Sequence, residues 1–147
     1  MRWTLPLLAA ALLAQAVSAQ MSFPMLTSTL PTAVRRGTTA EVVVESQQPF
    51  GTVYKVLIEG AGVTAEAVPG KSPKSLRLKV TASADASLGV REFRTASELG
   101  VSSLGQLLVV DDPVVPEAPG NGTPATAQPV TVPCVVCGRI ETAENVD

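Results

Sequence analysis

The chain has 147 residues, a formal net charge of −2, two cysteines, 3% aromatic residues and no histidine. Without histidine, Ser-His and Cys-His catalysis and the helical zinc-protease motif are excluded from this stretch of chain. No basic face points to nucleic acid, and too few aromatics are present to build stacking platforms for sugars or bases.

Met1-Arg2 gives a short positive start. Residues 5–14 (LPLLAAALLA) are uncharged and apolar, and Val17-Ser18-Ala19 ends on a small residue. This is the three-part layout of a secretory signal peptide, with cleavage expected after Ala19. A membrane span needs about 20 apolar residues, and Gln15 interrupts the run sooner. No later stretch is long and apolar enough to span a bilayer, and no cysteine follows the cleavage point to carry a lipid. The expectation is an exported chain starting near Gln20, secreted, periplasmic or held at the cell surface, with no membrane span after cleavage.

The next elements read as strands and turns. Residues 40–46 (AEVVVES) and 53–59 (VYKVLIE) are valine-rich β-type runs, and 60–62 (GAG) marks a turn. Residues 63–68 (VTAEAV) alternate apolar and polar, and 69–74 (PGKSPK) form a polar link. Residues 75–81 (SLRLKVT) put Leu76, Leu78 and Val80 on one face and Arg77, Lys79 and Thr81 on the other, the period of a half-buried strand. Residues 84–89 connect to strands at 90–96 (VREFRTA) and 104–110 (LGQLLVV). No helical stripe of ten residues interrupts 20–113.

Six or seven short strands at roughly ten-residue spacing predict an all-β sandwich. A single sheet would leave its apolar face uncovered; two facing sheets solve this. The expected core is Val42, Val44, Val56, Ile58, Leu76, Leu78, Val80, Leu88, Phe93, Leu107 and Val109.

Residues 111–124 (DDPVVPEAPGNGTP) hold four prolines and two glycines. Proline lacks a donor, so this segment is no central strand and reads as an interdomain linker. Residues 125–133 (ATAQPVTVP) stay extended, and 135–140 (VVCGRI) read as one more strand beyond the linker.

Two stretches resemble known families. Arg36-Gly37-Thr38-Thr39 before the first valine strand, and residues 84–93 (ADASLGVREF), are similar to turns of the Ig-like IPT/TIG domains of secreted bacterial proteins. Residues 116–147 (PEAPGNGTPATAQPVTVPCVVCGRIETAENVD) resemble the opening of a bacterial pre-peptidase C-terminal domain, matching at Glu117, Asn121, residues 123–128, Gly138, Ile140 and Asp147. The resemblance implies part of a large exported protein of a planctomycete-like bacterium. The expected division is a signal peptide at 1–19, an Ig-like β-sandwich at 20–110, a linker at 111–124, and the truncated start of a second β-domain at 125–147. On this reading the absent strands would supply the partners of 134–140, and residues from 111 onward would be poorly ordered alone. Some relatives of the second domain bind calcium near this opening. Glu117, Asn121, Asn145 and Asp147 are oxygen ligands of that kind, but calcium takes six to eight oxygens. Asn145 also stands where the family has Asp, so neither metal nor cofactor is expected.

Cys134 and Cys137 form a Cys-x-x-Cys pair. Residues three apart in a strand sit roughly 10 Å apart on opposite faces, whereas a disulfide needs Cα atoms within about 7 Å. Zinc would need two more ligands, and Gly138 stands where haem attachment needs histidine. The favoured reading is a strand with two small apolar side chains; export leaves a disulfide or thiol pair open. Asp111, Asp112 and Glu117 read as solvated strand-end and linker charges rather than a catalytic pair. Arg35 and Arg36 do not amount to a patch. Asn121-Gly122-Thr123 fits a glycosylation sequon but reads better as a turn. Phe50, Tyr54 and Phe93 offer an aromatic face, though packing is the commoner use.

The expected function is a non-catalytic exported β-sandwich module, a structural or adhesive spacer that binds through sheet edges or loops. Its expected partners are cell-surface or extracellular proteins or polysaccharides. The alternative is an accessory N-terminal region of an exported enzyme such as a peptidase. No catalytic or cofactor-binding residue is assigned.

Overall fold

A computed structural model describes residues 23–139. The expected leader at 1–19, Gln20, Ile140, Asn145 and Asp147 lie outside the described residues. Within them the chain is all-β, with eleven strands and no helix. In order these are β1 (Leu26–Leu30), β2 (Ala33–Arg35), β3 (Thr39–Ser46), β4 (Val53–Ile58), β5 (Val63–Pro69) and β6 (Ser75–Ala82). Then come β7 (Gly89–Ser97), β8 (Gly100–Val101), β9 (Gly105–Val110), β10 (Val114–Pro116) and β11 (Val135–Cys137).

Two sheets face each other. One has the order β1-β3-β6-β5; the other has β2-β9-β7-β4, with β8 added to β7. Taking β1 as strand A, this is A-B-E-D against G-F-C, the strand layout of an Ig constant-type sandwich. The expected Ig-like β-sandwich is therefore what the topology shows. The first strand is split between the sheets. β1 pairs antiparallel with β3, the chain crosses over at Pro31 and Thr32, and β2 then runs parallel to β9.

Alternation builds the core. Val42 and Val44 on β3 stand opposite Leu78 and Leu76 on β6, and Val80 has Ala40 on one side and Ala65 on the other. Phe93, Leu107 and Val109 close the core from the second sheet. These expected core residues are buried, and Val56 and Ile58 pack partly buried against them.

Leu88 is a correction: it is half exposed, at 50%. The chain turns before β7, where the Ala86 N–H donates to the Ser83 carbonyl and Ala86 takes the inward place. Gly89, at φ +118°, then starts the strand, which leaves Leu88 on the outside. Val34 and Val63, outside the expected core set, are also buried, and Phe50 takes the packing role rather than a binding face. Phe50 lies between strands, and its N–H donates to the Pro73 carbonyl.

The C-terminal part differs further from expectation. β11 does not wait for absent strands. It pairs in parallel with β10, which lies inside the proline-rich 111–124 segment, with Val114 opposite Val135 and Pro116 opposite Cys137. A two-stranded ribbon has only edges, and prolines are tolerated there. Pro113 contributes its carbonyl, which accepts the Val135 N–H at 2.9 Å. Cys137 is buried.

Candidate functional site

The split first strand closes one side of the sandwich. The other side is open. β5 ends the first sheet and β4 ends the second, so two bare strand edges lie next to each other there. The turn of Gly60 and Gly62, both at φ +81°, joins them. Positive φ favours glycine, which is why the connection can be this tight. Between the edges lies a groove of about 640 Å³, lined entirely by residues of β4 and β5. Its size falls in the range of small ligand clefts.

Small side chains make the room. Ala65 and Ala67 face inward on β5 where longer residues would close the gap, while Thr64 and Glu66 point outward to solvent. On β4, Val56 and Ile58 are partly buried, and Tyr54 and Leu57 are exposed. β4 carries a bulge between Val53 and Lys55, a device that blunts an edge against pairing. β5 pairs in unbroken register from Val63 to Pro69 on its inner side, so its outer side offers the longer regular row of free backbone groups. Lys55 lines the groove and has no ion pair among the described residues. The sequence signal for this site was the Ala-Glu-Ala alternation of residues 65–67, but periodicity alone does not say which strands end the sheets.

A smaller cavity of about 360 Å³ lies at one end of the sandwich, between Gly60–Gly62, Asp85, Ser87 and Arg91. Arg91 donates from its two terminal nitrogens to the Val90 and Ser87 carbonyls. The Ser83 hydroxyl donates to Asp85 at 2.6 Å and holds its carboxyl below the usual aspartate range. Asp85 and the Arg91 terminal nitrogens are thus tied to neighbouring groups, while Arg91 Nε is buried without a hydrogen-bond partner among the described residues and Glu59 also lines the cavity.

The residues singled out in the sequence are used structurally. Asp111 forms an ion pair with Arg36 at 2.8 Å, and its carbonyl accepts from Arg35. The Glu117 carboxylate accepts the Arg139 N–H at 2.8 Å. Asn121 follows the turn at residues 119–120, and its carbonyl accepts the Thr123 N–H. Among the described residues no three histidine, cysteine, aspartate or glutamate side chains are gathered to hold a metal. The three aromatics do not share a face: Phe50 and Phe93 are in the core, and Tyr54 is exposed on β4. Both thiols are free, with Cys137 buried and Cys134 half-buried. The Thr32 hydroxyl donates to Cys137 Sγ at 3.6 Å.

No protein-family model matches the sequence, and no curated protein is similar to it at a significant level. Solved structures share the shape weakly. The crystal structure of the Lin-41 filamin domain has TM-score 0.39 at 10% identity, covering 57% of this chain and 91% of that one. The Bacteroides ovatus mixed-linkage glucan utilization locus SGBP-B, in complex with a mixed-linkage heptasaccharide, has TM-score 0.42 at 16% identity, covering 64% of this chain and 24% of that one. Domains 4 and 5 of the S-layer protein SbsC have TM-score 0.35 at 15% identity, covering 59% and 53%. The Ig-like assignment rests on the strand order itself.

Proposed function

We propose that the chain is a non-catalytic, exported Ig-like module that serves as a spacer and binds an extended peptide segment of an extracellular or cell-surface protein along the free edge of β5. The observation that carries this reading is the open groove between two bare edges, on the side of the sandwich opposite the closed one. An incoming strand would satisfy the free backbone groups of β5, and its alternate side chains would enter the groove, as in strand-addition recognition. Ala65 and Ala67 leave room there for Val- or Leu-sized side chains of the partner. Lys55 on β4 and Glu66 on β5 both line the groove without an ion pair among the described residues, and favour an acidic and a basic residue of the partner respectively. A polysaccharide partner has less to rest on, because Phe23 and Tyr54 are the exposed aromatics among the described residues.

Peptide display on the full chain tests the reading. Selected peptides should alternate apolar and polar residues, carry both an acidic and a basic residue to meet Lys55 and Glu66, and protect β5 amides on binding. Ala65→Arg with Ala67→Arg, which fills the groove, should weaken them at least about tenfold; both alanines pack against the core, so an unchanged circular dichroism spectrum and cooperative melt must accompany the loss. Peptides that bind this double variant as tightly as the parent would refute the site.

A further inference from the structure

The Cys-x-x-Cys pair is left unused by the groove. We propose that Cys134 and Cys137 form a thiol–disulfide latch: with both thiols reduced, β11 is paired and the C-terminal segment is clasped to the sandwich, and oxidation of the pair releases it.

The clasped state is built from named contacts. The Val135 N–H donates to the Pro113 carbonyl and the Glu117 N–H to the Cys137 carbonyl, both at 2.9 Å. Cys137 is 4% exposed, under the Thr32 hydroxyl at the point where the first strand changes sheets. Two residues on, the Arg139 guanidinium donates to Ser28 Oγ at 2.9 Å and to Glu45 Oε2 at 3.4 Å. These partners belong to β1 and β3, so the segment is pinned to the first sheet as well.

The disulfide is incompatible with this arrangement. Cys137 ends β11 and Cys134 stands one residue before its start; three extended residue steps span roughly 10 Å, and Cys137 is buried while Cys134 is half-buried. A disulfide requires Cα atoms within about 7 Å. Residues 134–137 must therefore fold into a turn. That turn takes Cys137 from under Thr32 and breaks the pairing of Val135 and Cys137 with β10. Arg139, displaced with them, loses Ser28 and Glu45.

The oxidant is a small disulfide of the glutathione type, acting by thiol–disulfide exchange. Cys134, the more exposed sulfur, loses its proton and attacks one sulfur of the oxidant. A mixed disulfide forms and the oxidant's other sulfur leaves as a thiol. When β11 opens, Cys137 loses its proton and attacks the Cys134 sulfur, expelling the second oxidant thiol. Two cysteine thiols have become one disulfide, and the oxidant disulfide has become two thiols. Two electrons and two protons are accounted for. An exported protein meets both conditions, reduced when made and oxidising after export.

The test equilibrates the full chain in glutathione buffers from fully reduced to fully oxidised. Differential alkylation with mass spectrometry counts the intramolecular disulfide, and amide hydrogen exchange follows each state. In the disulfide fraction, exchange at Val135, Glu117 and Arg139 should quicken at least about tenfold while β3, β6, β7 and β9 stay protected. Added dithiothreitol should restore protection. Cys134→Ser, which leaves the buried Cys137 in place, should stay clasped in every buffer. The proposal is overturned if the disulfide forms with β11 still protected. It is equally overturned if only glutathione adducts form under full oxidation, or if Cys134→Ser releases the segment as the parent does.

Discussion

Phe50 and Leu88 show how far a single residue's place is set by the turn next to it. Phe50 follows Gln-Gln-Pro in a connection, yet it is among the largest fully buried side chains. Leu88 looks like a strand-entry core residue, but Ala86 holds the inward place. Phe50→Ala should therefore cost about 3–5 kcal/mol, and Leu88→Ala should stay within about 0.5 kcal/mol. Urea unfolding of the two variants checks this, and equal losses would contradict the burial. Glu98 makes a second prediction at this scale. The Thr52 N–H donates to both of its carboxylate oxygens at 2.7 Å and holds its pKa below the ordinary 4.5. A carboxylate with a lowered folded pKa stabilises the fold above its unfolded value, and that contribution is lost as pH falls through the folded value. Glu98→Gln removes it. The parent should unfold at higher urea than Glu98→Gln at neutral pH, and the two should converge as pH drops from about 4.5. A gap that persists unchanged into acid would assign the effect to packing.

At the scale of elements, strand length decided what could be read. β3, β5, β6, β7 and β9 each run six to nine residues, long enough for valine content or alternation to identify them, and β4 was found the same way. β2 and β8 have three and two residues, too few to show a period. β1 reads LTSTL, with no clean polar face. β10 was hidden because proline argues against a strand wherever a donor is needed, and an edge ribbon does not need it. The groove was hidden for a different reason: which strands are edges is a property of sheet order, and no local pattern encodes it. Ser102 marks where one such short element is held. It is fully buried, its hydroxyl accepts the Thr95 N–H and donates to the Ser103 carbonyl, and its own N–H donates to the Thr95 carbonyl. This one residue carries the β8 ribbon back along β7 into β9. Ser102→Ala leaves the Thr95 N–H buried without its partner and should cost about 1–3 kcal/mol. Hydrogen exchange should show the loss first at Thr95, ahead of β3 and β6. Uniform loss across both sheets would mean that the hydroxyl does not hold the ribbon locally.

At the scale of the whole molecule, the two sides of the sandwich are treated differently. The split first strand and the β10–β11 ribbon cover one side, and the other is left with two bare edges. The covering is held by few contacts: the buried Cys137, the Thr32 bond, the Arg139–Ser28 hydrogen bond, and an Arg139–Glu45 pair whose side chains are both 44% exposed. An ion pair this exposed contributes under about 1 kcal/mol, and burying one small side chain adds a similar amount. The C-terminal segment is thus a weakly held cover on a fold whose core it does not share. A chain ending at Asp112 keeps the Arg36–Asp111 pair and both sheets. It should keep an all-β circular dichroism spectrum and one cooperative melt. Its loss should be about 1–2 kcal/mol, a fall of roughly 5–10 °C in Tm for a domain of this size. An unchanged Tm would show that the ribbon is not docked on the sandwich. Loss of the cooperative transition would show that the ribbon belongs to the folding unit. A small loss with cooperativity kept would identify it as a detachable strap, the property a latch at Cys134 and Cys137 requires.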